Sequence, residues 1–337
     1  MNFYREKLEE LSEDPKIWLV TGVAGFIGSN ILETLLKNNQ IVFGIDNFVT
    51  GHENNLLKVK DVLKDHQWNK FNFHEGDILN FNEVSKVCKG VDFVLHQAAL
   101  GSVPRSIEDP ITSNEINVNG FLNVIKASQE AKVKKFIFAS SSSIYGDQPD
   151  LPKKEKIIGN QLSPYALTKM INEMYSEIFE LNYSFNSVGL RYFNIFGKRQ
   201  DPSGPYAAVI PKWIANALSE KPLEIYGDGQ NSRDFCFIEN AVQANILSAL
   251  SSFNNTKIFN VAVGERTKLI DLATLIKLNL ERQLELNIQI NHLETRKGDV
   301  LHSQADITRI SKELNYQPSH TLKEGLDETI KWYLQEY

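Results

Sequence analysis

Tyr165 and Lys169 stand four residues apart on a segment with helical patterning, so both side chains would rise from one face of a helix. A phenol beside an ammonium is suited to proton transfer, because the positive charge favours the phenolate and lowers the pKa of the phenol. The same spacing also arises by chance in a chain of this composition. The pair therefore gains its meaning from its surroundings.

A run of hydroxyl side chains lies upstream of this pair. A predicted strand over residues 135–140 leads into Ser141, Ser142 and Ser143. That strand would end at the C-terminal edge of a parallel sheet, where ligands of doubly wound folds bind. The sequence thus predicts that serine, tyrosine and lysine converge on one substrate oxygen. Tyr165 would be the base, and a serine would hold the same oxygen by a hydrogen bond.

The elements that must position these residues alternate along the chain. The predicted strands cover residues 17–20, 41–45, 71–75, 93–96, 135–140 and 187–192, and the predicted helices cover residues 28–38, 81–88, 117–131 and 165–181. Alternation of this kind predicts an α/β fold with a Rossmann-type, doubly wound parallel sheet.

Three regions are predicted along the chain. Residues 1–15 form a helical arm, with its helix over 3–12, that packs on the body or on a partner subunit. Residues 16–192 form the dinucleotide-binding domain. Prolines and glycines punctuate residues 193–337, which indicates a smaller mixed α/β substrate lobe, although residues 257–263 are predicted to return to the main sheet.

The first strand runs into three glycines, Gly22, Gly25 and Gly28, which open the next helix. Glycines at this place let the backbone approach a pyrophosphate at the positive N-terminus of the helix. A tight turn without a ligand is the alternative. The context favours a bound dinucleotide, whose positive nicotinamide ring would add to the effect of Lys169 on the pKa of Tyr165.

Asp46 ends the second predicted strand, where a carboxylate can accept both hydroxyls of an adenosine ribose and repel a 2′-phosphate. No Arg or Lys lies between Asp46 and Gly51, so the predicted cofactor is NAD. Asp77 either receives the adenine edge or caps a helix. Including Tyr165 and Lys169, the predicted cofactor contacts are Gly22, Gly25, Phe26, Ile27, Gly28, Asp46, Asn47, Asp77, Ile78, Gln97 and Ala98.

The charge balance excludes some partners. With 36 basic and 42 acidic residues, the net charge is −6, and no overall field would attract nucleic acid or an anionic membrane. The polar N-terminus and the lack of long apolar stretches predict a cytoplasmic protein. Cys88 and Cys236 lack metal-like spacing, so we expect no metal and assign the thiols to packing.

The glycine turn, the serine run and Y-x-x-x-K resemble the extended short-chain dehydrogenase/reductase superfamily over nearly the whole chain. Four segments are similar to nucleotide-sugar 4-epimerases, most closely those acting on UDP-N-acetylglucosamine: residues 102–106, 191–197, 227–235 and 296–299. The resemblance implies reversible C4 epimerisation of UDP-GlcNAc and UDP-GalNAc through a transient 4-keto sugar, with tightly bound NAD. It also implies a role in supplying N-acetylated hexoses to a surface polysaccharide.

The resemblance implies roles for individual residues. Ser141 is the catalytic serine, Tyr165 the acid/base and Lys169 a holder of the nicotinamide ribose. The implied substrate contacts are Ser102, Ser141, Ser142, Asn194, Ala208, Val209, Tyr226, Arg233, Arg296, Asp299 and Ser303. Among these, Arg233 and Arg296 would grip the diphosphate with their guanidinium groups. Packing explains Ala208, Val209 and Tyr226 equally well, and Arg105 faces either the sugar or solvent.

The resemblance also implies that Ser303 affects which sugar the site accepts. Epimerases restricted to glucose and galactose have a bulky tyrosine at its counterpart, so a serine leaves room for a 2-acetamido group. An ordinary polar residue under a loop is the alternative.

Several readings stay open. Related dehydratases carry an Asp-Glu pair at the positions of Ser142 and Ser143, and decarboxylases carry a Glu, so both reactions are disfavoured. An epimerase of UDP-GlcNAcA or UDP-glucose, an NAD-dependent reductase or dehydrogenase, and a non-catalytic binding module remain. Relatives dimerise through the Y-x-x-x-K helix and the helix before the serine strand, which implies a homodimer, although the apolar side of residues 117–131 also fits a core.

Overall fold

A computed structural model describes residues 3–203, 206–285, 287–295 and 301–336. Its strands, in chain order, are β1 (Ile17–Thr21), β2 (Ile41–Asp46), β3 (Phe71–Glu75), β4 (Phe93–His96), β5 (Lys135–Ser141), β6 (Ser187–Tyr192), β7 (Ile195–Phe196), β8 (Leu223–Tyr226), β9 (Ser232–Arg233), β10 (Cys236–Phe237), β11 (Lys257–Val261), β12 (Thr267–Lys268) and β13 (Ile290–Leu293). Its helices are α1 (Phe3–Glu13), α2 (Phe26–Lys37), α3 (Glu53–Asp61), α4 (Asp65–Trp68), α5 (Phe81–Val87), α6 (Val103–Glu108), α7 (Pro110–Asn114), α8 (Phe121–Glu130), α9 (Pro164–Tyr183), α10 (Val209–Leu218), α11 (Ile238–Ala249), α12 (Leu269–Gln283), α13 (Thr308–Leu314) and α14 (Leu322–Glu336).

Seven strands form the main sheet, in the order β3-β2-β1-β4-β5-β6-β11, and every pair is parallel. The order reverses direction between β1 and β4, which opens a crevice at the carboxyl ends of these strands. The prediction of a Rossmann-type α/β fold is confirmed. The remaining strands pair in three small sheets, β7 with β10, β9 with β12 and β8 with β13.

Apolar strands buried on both faces explain this sheet. β1 reads Ile-Trp-Leu-Val-Thr, and its last four residues are buried. The helices α2 and α11 bury their apolar sides in one core, and α5, α8 and α9 contribute to a second core that contains Phe121, Phe136 and Phe138. Parallel strands covered in this way need continuous apolar runs, as the sequence has.

The arm helix α1 packs on its own body. Leu11 is buried, Phe3, Tyr4 and Leu8 pack against the same core, and Gln40 donates a hydrogen bond to the Leu11 carbonyl over 2.6 Å. The apolar side of α1 is therefore used within the chain.

The predicted helix over residues 117–131 is present, but its first part is π-helical. The chain forms a wider π-helical turn over Glu115–Gly120 before α8 begins. This turn directs the buried carboxamide of Asn117 towards Leu100, where it accepts from the amide over 2.7 Å and donates to the carbonyl over 3.0 Å. Sequence periodicity does not reveal such a turn, because the extra residue is justified by a contact with another segment.

Among the described residues, no helix is both long and apolar enough to cross a membrane. The two cysteines are buried with free thiols. Burial raises the pKa of Cys88 to about 11, which fits a packing role.

Candidate active site

The glycine turn joins β1 to α2 with little space to spare. Gly22 has a φ of 68°, and a Cβ there would lie 2.8 Å from the Ala98 nitrogen. A Cβ on Gly28 would lie 2.1 Å from the Gly22 carbonyl oxygen. Both positions therefore require glycine. Gly25 caps α2 without a side-chain hydrogen bond, so the amides of the first turn face the crevice free of a capping side chain.

A cavity of about 330 Å³ lies over this turn. All the predicted cofactor contacts outside the Tyr-Lys pair line it: Gly22, Gly25, Phe26, Ile27, Gly28, Asp46, Asn47, Asp77, Ile78, Gln97 and Ala98. Its described lining contains the carboxylates of Asp46 and Asp77 and no Arg or Lys. A backbone cradle for a pyrophosphate beside two acids fits NAD and would repel the extra phosphate of NADP.

Asp46 organises this cavity. Its carboxylate accepts hydrogen bonds from the amides of Ala24 and Phe48, both over 2.9 Å. Burial raises the pKa of Asp46, and the backbone donors act in the opposite direction. A Cβ on Gly51 would lie 3.0 Å from both carboxylate oxygens, so glycine keeps the approach to Asp46 open.

Asp77 does not cap the following helix. Asn80 caps α5 by accepting from the amides of Asn82 and Glu83. Asp77 instead accepts from the Leu79 amide over 2.8 Å and from the Asn47 carboxamide over 2.9 Å. Of the two alternatives for Asp77, the helix cap is wrong, and the carboxylate lies on the cavity wall.

A second cavity, of about 280 Å³, adjoins the first and is lined by Ser141, Tyr165, Lys169 and Asn194. Phe26, Ile27 and Gln97 line both cavities. The three predicted catalytic residues therefore meet in this second cavity, here called the catalytic cavity. The first cavity, over the glycine turn, is called the cofactor cavity. The described lining of this catalytic cavity contains no Asp or Glu.

Helix α9 is fixed against β5 at successive turns. Ser163 caps the helix by accepting from the Ala166 amide, and Pro164 occupies its first turn. Lys169 donates to the Ala139 carbonyl over 2.9 Å, and one turn later Glu173 accepts from Ser140 over 2.5 Å. Glu173 also forms a buried two-pronged ion pair with Arg191 of β6. These contacts set the height of Tyr165 relative to Ser141.

In the free protein, burial governs the pKa of Tyr165. Burial raises this pKa above its usual value of 10.0, and a hydrogen bond with Ser141 acts to lower it. Lys169 lies 5.9 Å from the centre of the Tyr165 ring, and its ammonium is engaged by the Ala139 carbonyl. Burial also lowers the pKa of Lys169 to about 8. Within the protein itself, desolvation therefore dominates both groups.

Only two of the predicted substrate contacts, Ser141 and Asn194, are among the described residues that line the two cavities. The other described ones line neither cavity: Ser102, Ser142, Ala208, Val209, Tyr226, Arg233 and Ser303. Ser102 caps α6 with a φ of 93°, and Asn194 also has a positive φ of 36°. Ala208 and Val209 begin α10, and Tyr226 ends β8. Arg296 and Asp299 lie outside the described residues.

Arg233 and Ser303 are brought together by backbone pairing. The Ser303 amide donates to the Ser232 carbonyl over 3.0 Å, and Arg233 donates to the carbonyls of Ser232 and Leu301. The neighbouring Asp234 is fully buried and accepts from the amides of Val263, Gly264 and Ala305, each over 3.1 Å. Burial raises the pKa of Asp234 to about 7 despite these donors. Asp234 thus holds the segments that carry Arg233 and Ser303 in register.

Comparison with known proteins places this site in a family. The family model described as "NAD dependent epimerase/dehydratase family" matches residues 18–262. The chain belongs to this NAD-dependent family. NAD is its cofactor, in agreement with the prediction from the sequence and with the acidic lining of the cofactor cavity.

Three relatives illustrate the similarity. A UDP-N-acetylglucosamine 4-epimerase from Methanobrevibacter ruminantium, solved with UDP-N-acetylmuramic acid, is 37% identical, with a TM-score of 0.88 over 96% of this chain and 99% of that chain. A UDP-glucuronic acid 4-epimerase from Bacillus cereus, solved with UDP-glucuronic acid and NAD, is 31% identical, with a TM-score of 0.84 over 95% of this chain and 100% of that chain. A putative UDP-glucose 4-epimerase from Methanocaldococcus jannaschii is 34% identical over 93% of this chain and 97% of its own length.

Two residues that line the catalytic cavity were not predicted from the sequence. Gln200 and Tyr192 line the catalytic cavity, and the Tyr192 hydroxyl donates to Gln97 over 3.0 Å. Arg105, whose position was open, is half-buried and stacks over the Tyr206 ring at 4.9 Å. The polar residues after Asn194, within a region rich in proline and glycine, were the available signal for Gln200.

Proposed function

We propose that this protein is a UDP-sugar 4-epimerase that interconverts UDP-GlcNAc and UDP-GalNAc while retaining NAD. The observation that carries the proposal is the convergence of Ser141, Tyr165 and Lys169 in a cavity whose described lining has no carboxylate and which adjoins the NAD cavity. Proton transfer to and from a single sugar hydroxyl needs one acid/base and a hydrogen-bonding partner, which Tyr165 and Ser141 can provide.

The residues act on the 4-hydroxyl of the sugar. Tyr165 removes the proton from this oxygen and later returns it, and Ser141 holds the same oxygen by hydrogen bonding. The residues of the cofactor cavity would hold NAD, which would supply the acceptor and donor of the C4 hydride. Because burial raises the pKa of Tyr165, the free protein holds Tyr165 as a neutral phenol, and a positive charge entering the adjoining cavity would favour the phenolate.

No carboxylate that could perform an elimination is among the described residues lining the catalytic cavity. The carboxylate of Glu173 lies near the serine run that begins at Ser141. It is buried, accepts a hydrogen bond from Ser140 and is paired with Arg191. Both oxygens of this carboxylate are engaged by Ser140 and Arg191, so it is not available to act on the sugar in a dehydration at C5 and C6 or in a decarboxylation. A 4-keto sugar formed at this site is therefore expected to be reduced again and not released.

The choice of sugar rests on Ser303 and on charge. Ser303 is half-buried, and its amide pairs with the residue before Arg233. Its place in the proposal comes from the resemblance, in which a serine at the position of a bulky tyrosine leaves volume for a 2-acetamido group. Lys169 is the cation among the described residues lining the catalytic cavity, and its ammonium is engaged by Ala139. This supports a neutral sugar over a uronic acid, whose carboxylate would call for a cation of its own.

Incubation of the purified protein with UDP-GlcNAc, UDP-GalNAc, UDP-glucose, UDP-galactose and UDP-glucuronic acid, each separately, tests the proposal. Chromatography should show the N-acetylated pair interconverted fastest and no accumulation of NADH. NADH formed in proportion to product would support a dehydrogenase. Absence of interconversion of every sugar by protein that binds NAD would refute the epimerase.

The homodimer is proposed on α9, the Y-x-x-x-K helix, which is one of the two helices that the resemblance implied. The apolar side of the other helix, α8, is used in the core, where Phe121, Val124 and Ile125 are buried. Helix α9 exposes Leu167, Met174, Ile178 and Leu181 along its length and Tyr183 at its end. This outward stripe, at helical spacing, is suited to packing on the same helix of a second copy. Sedimentation of wild type and of Ile178→Glu tests it, since only the wild type should sediment as a dimer.

A further inference from the structure

Residues 198–201, here called the strap, follow β7 and contact α2, the helix that begins at the glycine turn. Arg199 of the strap is 4% exposed and has a φ of 64°, a conformation that a bulky residue adopts only when its surroundings hold it there. Its guanidinium donates to Ser29 over 3.1 Å, to Asn30 over 2.9 Å and to Glu33 over 2.7 Å, all on α2. The strap is thus joined to one face of this helix.

Glu33 is the centre of this junction. It is 4% exposed and binds three cations: Arg199, Lys198 at 3.0 Å and Lys37 at 2.6 Å. Burial opposes its negative charge, but these cations more than offset burial and lower the pKa of Glu33 to about 2. Glu33 therefore stays ionised at any working pH. In addition, Asn30 donates to the Lys198 carbonyl over 3.1 Å, which fixes the strap backbone itself.

The strap also reaches the walls of both cavities. Gln200 lines the catalytic cavity beside Phe26 and Ile27, which begin α2 and line the cofactor cavity as well. Asp201 lies 3.2 Å from His52, whose backbone amide donates to the Ala24 carbonyl in the glycine turn. Both flanks of the glycine turn are therefore connected to the strap.

We propose that Glu33 and Arg199 form a positioning pair through which the strap holds the first turn of α2 against the catalytic cavity and slows the release of NAD. The helix amides that bind a pyrophosphate lie about two turns before Glu33 on the same rigid helix. Cutting the pair leaves a buried charge without its main partner, and α2 must then shift or admit water to relieve it. This inference requires NAD binding and not the identity of the sugar.

The test measures NAD release from full-length, NAD-loaded protein with no sugar present. Bound nucleotide is followed over time after rapid removal of free NAD. We expect Glu33→Gln and Arg199→Met each to raise the release rate about tenfold, and the double variant to exceed neither single variant by more than about twofold. Lys37→Met is the matched control, because it removes a Glu33 partner that does not touch the strap, and its release rate should stay at the wild-type value.

Two further variants cover the possibility that a charge deletion prevents folding. Arg199→Lys keeps the charge and should release NAD more slowly than Arg199→Met. Lys198→Met removes a half-buried partner and should accelerate release by about threefold. Wild-type release rates in folded Glu33→Gln or Lys198→Met protein, with only the melting temperature reduced, would overturn the proposal. So would additive effects in the double variant. A lack of epimerase activity would leave these rates unaffected and so separates this inference from the proposed function.

Discussion

The two cavities of this protein are built in different ways. The cofactor cavity is formed by consecutive backbone of the β1–α2 turn and by residues at the ends of neighbouring strands, such as Asp46 and Asp77. The catalytic cavity collects side chains from β5, α9 and the segment around Asn194. Its geometry depends on pairs such as Glu173 with Arg191, which come from different elements. Local backbone rules thus explain the first cavity, and tertiary packing determines the second.

Tyr165→Phe should show the strongest separation of the two cavities. The change removes the hydroxyl that transfers the proton and keeps the ring, so turnover should fall by about a thousandfold. NAD binding should stay near the wild-type level, because Tyr165 does not line the cofactor cavity and the other predicted cofactor contacts are unchanged. Steady-state kinetics and NAD content measure the two effects, and retention of more than a tenth of the activity would exclude Tyr165 as the acid/base.

Gly28→Ala should act in the opposite sense. The new Cβ would approach the Gly22 carbonyl oxygen to 2.1 Å, so the glycine turn must open. Overpacking of this kind costs about 1–3 kcal/mol, and NAD affinity should fall by about a hundredfold. Titration of the nucleotide-free variant with NAD measures the loss. An unchanged affinity would mean that the pyrophosphate does not lie over this turn.

Ser303→Tyr tests the substrate side alone. A phenol ring in the volume of the acetamido group should reduce turnover of UDP-GlcNAc relative to UDP-glucose by about fiftyfold. The ratio of kcat/KM for the two sugars is the measurement, and Ser303→Ala is the matched control because it keeps the volume open. Equal losses on both sugars would remove Ser303 from the determinants of specificity.

Lys169→Met should stabilise the fold while it impairs turnover. Burial lowers the pKa of Lys169 to about 8 from 10.5, so the folded state binds fewer protons than the unfolded state between these values, and stability rises with pH across this window. At pH 7 the charged lysine therefore destabilises the protein. After allowance for the lost hydrogen bond with Ala139, the variant should gain about 1–2 kcal/mol.

Denaturant unfolding at several pH values measures this gain. The advantage of the variant should shrink as the pH rises from 8 towards 10.5, because the wild-type lysine is then neutral in the folded protein. A variant less stable than wild type at neutral pH would show that the ammonium contributes to stability through its contact with Ala139.

The sequence predicted the parallel sheet and the cofactor residues because both follow local rules. Apolar strands that alternate with helices require a covered parallel sheet, and a glycine turn before a helix requires a ligand or a close packing partner. Periodicity did not predict the π-helical form of Glu115–Gly120, which is stabilised by a contact of Asn117 with Leu100. Spacing also does not report how deeply a helix buries a phenol, so the burial that raises the pKa of Tyr165 in the free protein was not predicted.

By itself, the sequence determined the fold class and the preference for NAD, and it predicted that Ser141, Tyr165 and Lys169 lie together, since these depend on residue types at short spacings. Only the tertiary structure decided which distant groups join the elements that surround the two cavities. Arg199 and Glu33 are 166 residues apart, and Asp234 bonds to Ala305 across 71 residues. Such contacts leave no periodic signal in the chain, because a single buried pair is selected by the space between packed elements and not by its sequence neighbours.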